Sequence, residues 1–405
     1  MKAFERLLNY VVVRTPSNED SDTVPSSQCQ FDLARPLVKE LKELGIEDAE
    51  VDDMCYVYGH MPATPGYENK TKIGFMAHMD TVSDFCDHDI VPVVTPDYNG
   101  EDFPLGNSGR TLKVDMFEHL KNYKGRTLIT TDGTTVLGGD DKAGIAEIMT
   151  MIERINEEKI PHGPLSFAFT PDEEIGKGPD HFNVEKFGAE FGYTLDGDLE
   201  GGIEFENFNA CTAVFEIEGV NVHPGTSKDT MVNAVLVGME INAGLPEGQT
   251  PRDTEGYEGF YHLYKMSGDV AHAELHYIVR DHDKDSFEER QNILRKLAED
   301  ANRKWGEGTV KLTLEQEYRN MLEIIENHMH LIDNAKEACR RAGVEPLVKP
   351  IRGGTDGAQL SFKGLPCPNL GTGGYAFHGP FEHITAEGMD AATDIALEIV
   401  KLYAE

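Results

Sequence analysis

Residues 165–178 read LSFAFTPDEEIGKG. The apolar run reads as a strand, and two adjacent glutamates, Glu173 and Glu174, close it. Other residue types that ligate metals sit in matching places along the chain. His78 and Asp80 end IGFMAHMDT, Asp140 lies in LGGDDKAG, Asp196 ends FGYTLDGD, and His378 lies in GTGGYAFHGP. Between these runs KAGIAEIMTMIERINEE has the spacing of an amphipathic helix. Alternating strands and helices, with acids where strands end, predict an α/β domain with a mixed, mostly parallel sheet flanked by helices. In such sheets, sites gather beyond the carboxyl ends of the strands.

Outward from this segment, residues 1–45 read as two helices, FERLLNYVVV and DLARPLVKELKELG. Residues 84–126 are irregular and rich in Gly, Pro and Asp, and TLITTDG and TTVLGGDD read as short strands. The character changes near residue 207. NACTAVFEIEGV reads as an edge-type strand, MVNAVLVGMEINAGL as a helix, HAELHYIVRDHD as a strand, SFEERQNILRKLAEDANRKWG as a helix and TVKLTLEQEY as a strand. This β-α-β-α-β stretch predicts an α+β unit at 208–317, inserted into a main domain formed by 1–207 and 318–405.

Composition narrows the function. Seventy-two acidic residues against 37 basic ones give a net charge of −35, which disfavours nucleic-acid binding. No apolar run approaches the ~20 residues that span a bilayer, and the N-terminus lacks the apolar core of a signal peptide. Six cysteines are scattered without a CxxC pair. A reducing cytoplasm is the expectation, with any metal held by imidazole and carboxylate rather than thiolate.

His78 and Asp80 are two apart, so on a strand they share a face, where a carboxylate can orient a ligating imidazole. A satisfied polar pair is the plainer reading. Asp140 and Asp141 open a helix, and either fits an N-cap, yet a carboxylate there can also bridge two metals. Glu173 and Glu174 point differently, so one can bind metal while its neighbour acts as general base. An exposed acidic turn is the alternative. Asp196 also fits a turn and His378 a surface histidine. It is the joint order His-x-Asp, Asp, Glu-Glu, Asp, His that points to a two-metal hydrolase. A magnesium phosphotransfer site would not need the two histidines and would call for a phosphate-binding loop, which is absent. A scaffold that only bound metal would not need Glu173.

The chain resembles the di-zinc exopeptidases of the aminoacylase and glutamate-carboxypeptidase type, and among them the aminopeptidases that take tripeptides. The resemblance rests on TLITTDGTTVLGGDDKAGIAEIMT, IPHGPLSFAFTPDEEIGKG, FENFNA, GVNVHPGT, MVNA, TEGYEGFYHL, HYIVRD, PIRGGTDGAQLSFKGLPCPNL and TGGYAFHG. It runs nearly end to end and is looser over 1–70 and 84–126. It implies two Zn2+ per subunit, other divalent metals being accepted in vitro. His78 and Asp196 would hold one, Glu174 and His378 the other, and Asp140 would bridge them. Glu173 would be the general base, and Asp80 would steady His78. In FHGPFEHIT, His383 lies close enough in sequence to stand in for His378. The inserted unit would be a lid and dimerisation domain, giving a homodimer. His223 would polarise the scissile carbonyl and Arg280 would hold the substrate carboxylate, with Asn233 and Arg352 as further substrate contacts. The implied activity is release of the N-terminal residue of tripeptides during peptide catabolism in the cytoplasm. An N-acyl amino acid deacylase or a dipeptidase would share every metal ligand.

Overall fold

The computed structural model describes all 405 residues. The chain divides into two compact units: Met1–Phe205 with Met321–Lys349 and Thr355–Glu405, and Glu206–Asn320 with Pro350–Gly354. The second unit thus takes the short 350–354 return segment, which the sequence reading had left with the main domain. Ile351 pairs with Asn207, and its N–H donates to the Glu206 carbonyl.

The first unit is built on an eight-stranded sheet. Its order is Glu50–Val51, Val57–Met61, Leu165–Thr170, Ile73–His78, Phe191–Gly197, Asn369–Gly371, Gly202–Glu204 and Leu347–Val348. Ile73–His78 runs parallel to both of its neighbours, and Phe191–Gly197 runs parallel to Asn369–Gly371, while Val57–Met61 pairs antiparallel. Every residue of Ile73–His78 and Leu165–Thr170 is buried. That is why these strands read as continuous apolar runs rather than alternating ones.

The helix Gly139–Glu158 packs on Ile73–His78 and Phe191–Gly197, and against the helices Ala3–Val11 and Ala386–Ala404. Its start lies very close to the sheet: a Cβ at Gly144 would stand 2.0 Å from the Leu195 carbonyl oxygen. Only glycine permits that approach, and it sets Asp140 and Asp141 beside the strand that carries Asp196 near its end.

Two local expectations for this unit need correction or extension. TTVLGGDD forms no strand; Leu128–Thr131 is the strand there, between Pro92–Thr95 and His383–Thr385. The irregular 84–126 stretch encloses its own core of Tyr98, Leu105, Leu112, Leu120 and Tyr123. No helix is long and apolar enough to cross a membrane, and all six cysteines are free.

The second unit is a four-stranded antiparallel sheet ordered Phe260–Gly268, His272–Asp281, Asn209–Glu218, Val310–Tyr318. One face is buried against the helices Ala234–Ala243 and Lys284–Trp305, through Ala213, Phe215, Val237, Leu275 and Leu294. Asn209–Glu218 is a central strand, not an edge. Its alternating burial reflects one covered face, which alternation reports, and not its place in the sheet. The edge strands are Val310–Tyr318 and Phe260–Gly268, the latter left out of the sequence reading. Its second half, from Tyr264 on, is exposed and carries no apolar alternation.

Candidate metal centre

Strand register brings the site together. His78 is opposite Thr170 in one neighbouring strand, while Met76 is opposite Thr194 in the other. Two residues further on, His78 and Asp196 come level at the carboxyl end of the sheet, with Asp80 and Glu173–Glu174 in the loops just beyond.

The distances are short and reciprocal. The two oxygens of Asp140 lie 3.0 Å from two different imidazoles, Oδ1 from His78 Nε2 and Oδ2 from His378 Nε2. His78 Nε2 is also 3.4 Å from Asp196 Oδ1, and His378 Nε2 is 3.0 Å from Glu174 Oε2. Two groups bring their donor atoms within 4.8 Å of one another, close enough to share an ion: His78, Asp140 and Glu174, and His78, Asp141 and Asp196. The two aspartates nevertheless differ. The Asp141 carboxylate accepts the N–H groups of His78 (3.1 Å) and Gly144 (3.2 Å), so it is occupied as a helix cap. The Asp140 carboxylate is left to span the two imidazoles.

Asp80 does two things. His78 Nδ1 lies 3.0 Å from its backbone oxygen and 3.4 Å from its carboxylate, which leaves Nε2 facing the cluster. The same carboxylate accepts the N–H groups of Glu173 (3.0 Å) and Glu174 (3.1 Å). That fixes the turn from which Glu174 reaches His378, while Glu173 lines a small enclosed space with His78, Thr170, Asp196 and Asp356.

Asp172 is a residue the sequence reading did not single out. Buried at φ +59°, it accepts from Ser26 N (2.7 Å), Ser26 Oγ (2.5 Å) and Gln30 Nε2 (2.6 Å), anchoring the same turn from behind. Its position next to Glu173 was the only sequence signal available.

His383 does not join the cluster. It is buried, 2.8 Å from His119 Nε2 and in line with the Tyr375 ring. Burial pushes its pKa down to about 4.

The electrostatics follow from crowding. Burial opposes charge on His78, but Asp196, Asp140 and Asp80 outweigh it and hold the imidazole well above its ordinary pKa. Hydrogen bonds to Asp140 and Glu174 push His378 up to about 11. Burial raises Glu173 well above the usual range, and Asp196 adds to it. Burial, with Asp140 beside it, raises Glu174 to about 7. Six carboxyl groups, of Asp80, Asp140, Asp141, Glu173, Glu174 and Asp196, thus confront only two imidazoles, a crowding that raises several of them and that divalent cations would relieve by favouring the ionised forms. The donors are nitrogen and oxygen without sulfur, which fits zinc and other first-row divalent ions.

The description "Peptidase family M20/M25/M40" matches residues 136–402, a span that includes Asp140, Glu173, Glu174, Asp196 and His378. A protein named Peptidase T from Caldanaerobacter subterraneus subsp. tengcongensis is 52% identical over 404 residues, covering 99% of this chain and 98% of its own. The chain belongs to peptidase family M20/M25/M40, in its peptidase T branch. Two solved structures share the fold at TM-score 0.79 and 23% identity. One is an aminopeptidase PepT from Bacillus cereus, covering 99% of both chains. The other is a tripeptidase from Staphylococcus aureus, covering 100% of this chain and 98% of its own. His78 and Asp80 precede the stretch matched by the M20/M25/M40 family description but lie within the Peptidase T likeness.

The remaining expected residues of this M20/M25/M40 peptidase belong to the second unit. His223 is exposed before the turn Pro224–Thr226, its Nδ1 accepting from Gly225 N at 3.1 Å. The Asn233 side chain caps the helix Ala234–Ala243. Arg280 is paired with Glu317 at 2.6 Å and lies over the Tyr318 ring. Arg352 donates to the carbonyls of Gly256 (2.7 Å) and Glu258 (3.0 Å) and to Thr254 Oγ1 (3.0 Å), between Phe208 and Phe260. Its guanidinium clamps the 254–258 loop.

Proposed function

We propose that this peptidase releases the N-terminal residue of tripeptides at a centre of two divalent cations. Asp140, whose two oxygens face two imidazoles at 3.0 Å each, is the observation that carries the reading. His78 and Asp196 would hold one cation, Glu174 and His378 the other, and Asp140 both. Zinc is the proposed metal. Bound cations there would acidify a water and polarise a carbonyl.

Glu173 is the proposed base. It stands beside the ligands without touching either imidazole through a hydrogen bond; burial raises its pKa, and cations bound beside it would hold it ionised and able to accept a proton. It takes a proton from water and returns it to the leaving amine. Asp80 keeps Glu173 and Glu174 on diverging paths through their N–H groups. It also keeps the His78 proton on Nδ1.

In the second unit, His223 is proposed to stabilise the developing oxyanion, and Arg280 to read the free carboxylate of the peptide by bidentate hydrogen bonding. Asn233 is a further proposed substrate contact. A cytoplasmic homodimer formed through the second unit is the proposed state. It is supported by Leu236 and Met239, exposed three residues apart on the helix Ala234–Ala243.

The test is a peptide-length series with metal-reconstituted enzyme. Tripeptides should outrun dipeptides, tetrapeptides and tripeptide amides. Preference for N-acylated amino acids would replace this reading with a deacylase.

A further inference from the structure

Glu382 has no part in the chemistry above, yet it is buried within it. It lies four residues after His378 and is 2% exposed. Its Oε2 accepts the N–H groups of Leu137 (2.6 Å) and Gly138 (2.9 Å), and its Oε1 accepts that of Asp140 (3.1 Å). The neighbouring lysine does not pair with it: Lys142 Nζ donates to the Val13 carbonyl at 2.7 Å. Three converging peptide N–H groups therefore hold this carboxylate, as in an anion nest turned inward. Gly139 lets the loop wrap around it, since a Cβ there would come within 3.1 Å of Oε1.

This bond network spans the two segments whose side chains meet at the centre. Asp140 is on the clamped loop. His378 immediately precedes the turn 379–382, which Glu382 N closes by donating to the Gly379 carbonyl at 3.1 Å. Beyond its contacts with Asp140 and Glu174, His378 has little to fix it, with its side chain 55% exposed and its backbone left-handed at φ +63°. The 3.0 Å approach of His378 to Asp140 is thus fixed by a second link, four residues further along, between the same two loops.

We infer that Glu382 is a positioning residue, which sets the Asp140–His378 pair and so the affinity of the cation that Asp140, Glu174 and His378 would share. The inference rests on the two-cation reading above. Glu382→Gln keeps the shape but turns an NH2 group toward a backbone N–H, losing at least one acceptor.

Two readouts test it without any peptide substrate. Zinc competition titration of Glu382→Gln should show the site of Glu174 and His378 weakened about 10- to 100-fold, and the other, which shares only Asp140 with it, weakened less. Amide hydrogen exchange of the metal-free protein should quicken at residues 137–140. Excess zinc should restore kcat with KM for peptide unaltered. Gly139→Ala, which retains the carboxylate but crowds it, should weaken the same site, and it decides the matter if Glu382→Gln does not fold. Wild-type zinc affinity at both sites in a folded variant, or unchanged exchange at 137–140, overturns the inference. A wild type that bound no zinc would defeat the two-cation reading itself, and the exchange readout would still judge the clamp.

Discussion

The two units each place histidines against carboxylates at the same range and obtain different results. In the first, His78 and Asp140 meet at 3.0 Å with side chains 2% and 13% exposed. On the open face of the second unit's sheet, His272 meets Glu218, also at 3.0 Å, with side chains 45% and 70% exposed. Glu274 links His272 to His276 there, at 3.3 and 3.2 Å, much as Asp140 links His78 to His378. Water screens the second set, so its charges stabilise little and need nothing further. The carboxylates of the first set are walled in at the ends of parallel strands, where surplus negative charge is costly unless a cation joins it. Burial of the carboxylates, more than residue type, separates the two sets: Asp140 and Glu174 are 13% and 4% exposed, Glu218 and Glu274 70% and 35%.

The sharpest way to break this comparison is to remove the proposed base. Glu173→Gln should lower turnover roughly 10²- to 10⁴-fold with both cations retained. Glu174→Gln should instead release metal. Turnover and metal analysis of both variants check this, and a fully loaded Glu173→Gln of near-normal rate would return Glu173 to the surface class. Next in size is metal removal. Chelation should lower the Tm, and zinc at a thousandfold its Kd should restore about 4 kcal/mol of stability. Glu274→Gln should leave that shift intact, whereas Asp140→Asn should abolish most of it.

Smaller effects concern the second unit's own residues. His223→Ala should lower turnover at unchanged metal content, because the lost contact is made chiefly in the transition state. Arg280→Met should raise KM for tripeptides while leaving tripeptide amides nearly unaffected. Equal losses on both substrates would detach Arg280 from the peptide carboxylate. The smallest effect is at His272, whose pKa is raised by hydrogen bonds to Glu274 and Glu218. The stability it contributes is fully present below its unfolded pKa of about 6.5 and is lost as pH rises through the higher folded value. NMR titration should find that raised value and see it fall in Glu274→Gln, with no detectable change in the melting temperature.

Much of the first unit was legible in the chain because strands buried on both faces leave unbroken apolar runs, and polar residues that end such runs land at one edge of a parallel sheet. That logic found His78, Glu173, Glu174 and Asp196. It failed where the signal depends on partners distant in sequence. Nothing local distinguishes Asp140, which faces two imidazoles, from Asp141, which caps a helix. Asp172 and Glu382 spend their oxygens on backbone and hydroxyl donors more than a hundred residues away, and in sequence they look like any turn acid. The strand Phe260–Gly268 was missed because an exposed edge needs no apolar alternation. Asn209–Glu218 was misjudged as an edge because periodicity reports which face is covered, and says nothing of how many neighbours a strand has.

The left-handed backbone at His378 also bears on how this centre could be re-engineered. At φ +63°, β-branched side chains are strongly disfavoured, whereas asparagine and aspartate are tolerated. Glycine aside, which would remove the donor, the replacements that keep the local backbone are therefore those that exchange an imidazole nitrogen for an oxygen. Such an exchange favours harder ions such as manganese or magnesium over zinc. At this position the backbone restricts the repertoire of donor atoms, and metal preference could be shifted by a single substitution that leaves the loop as it is.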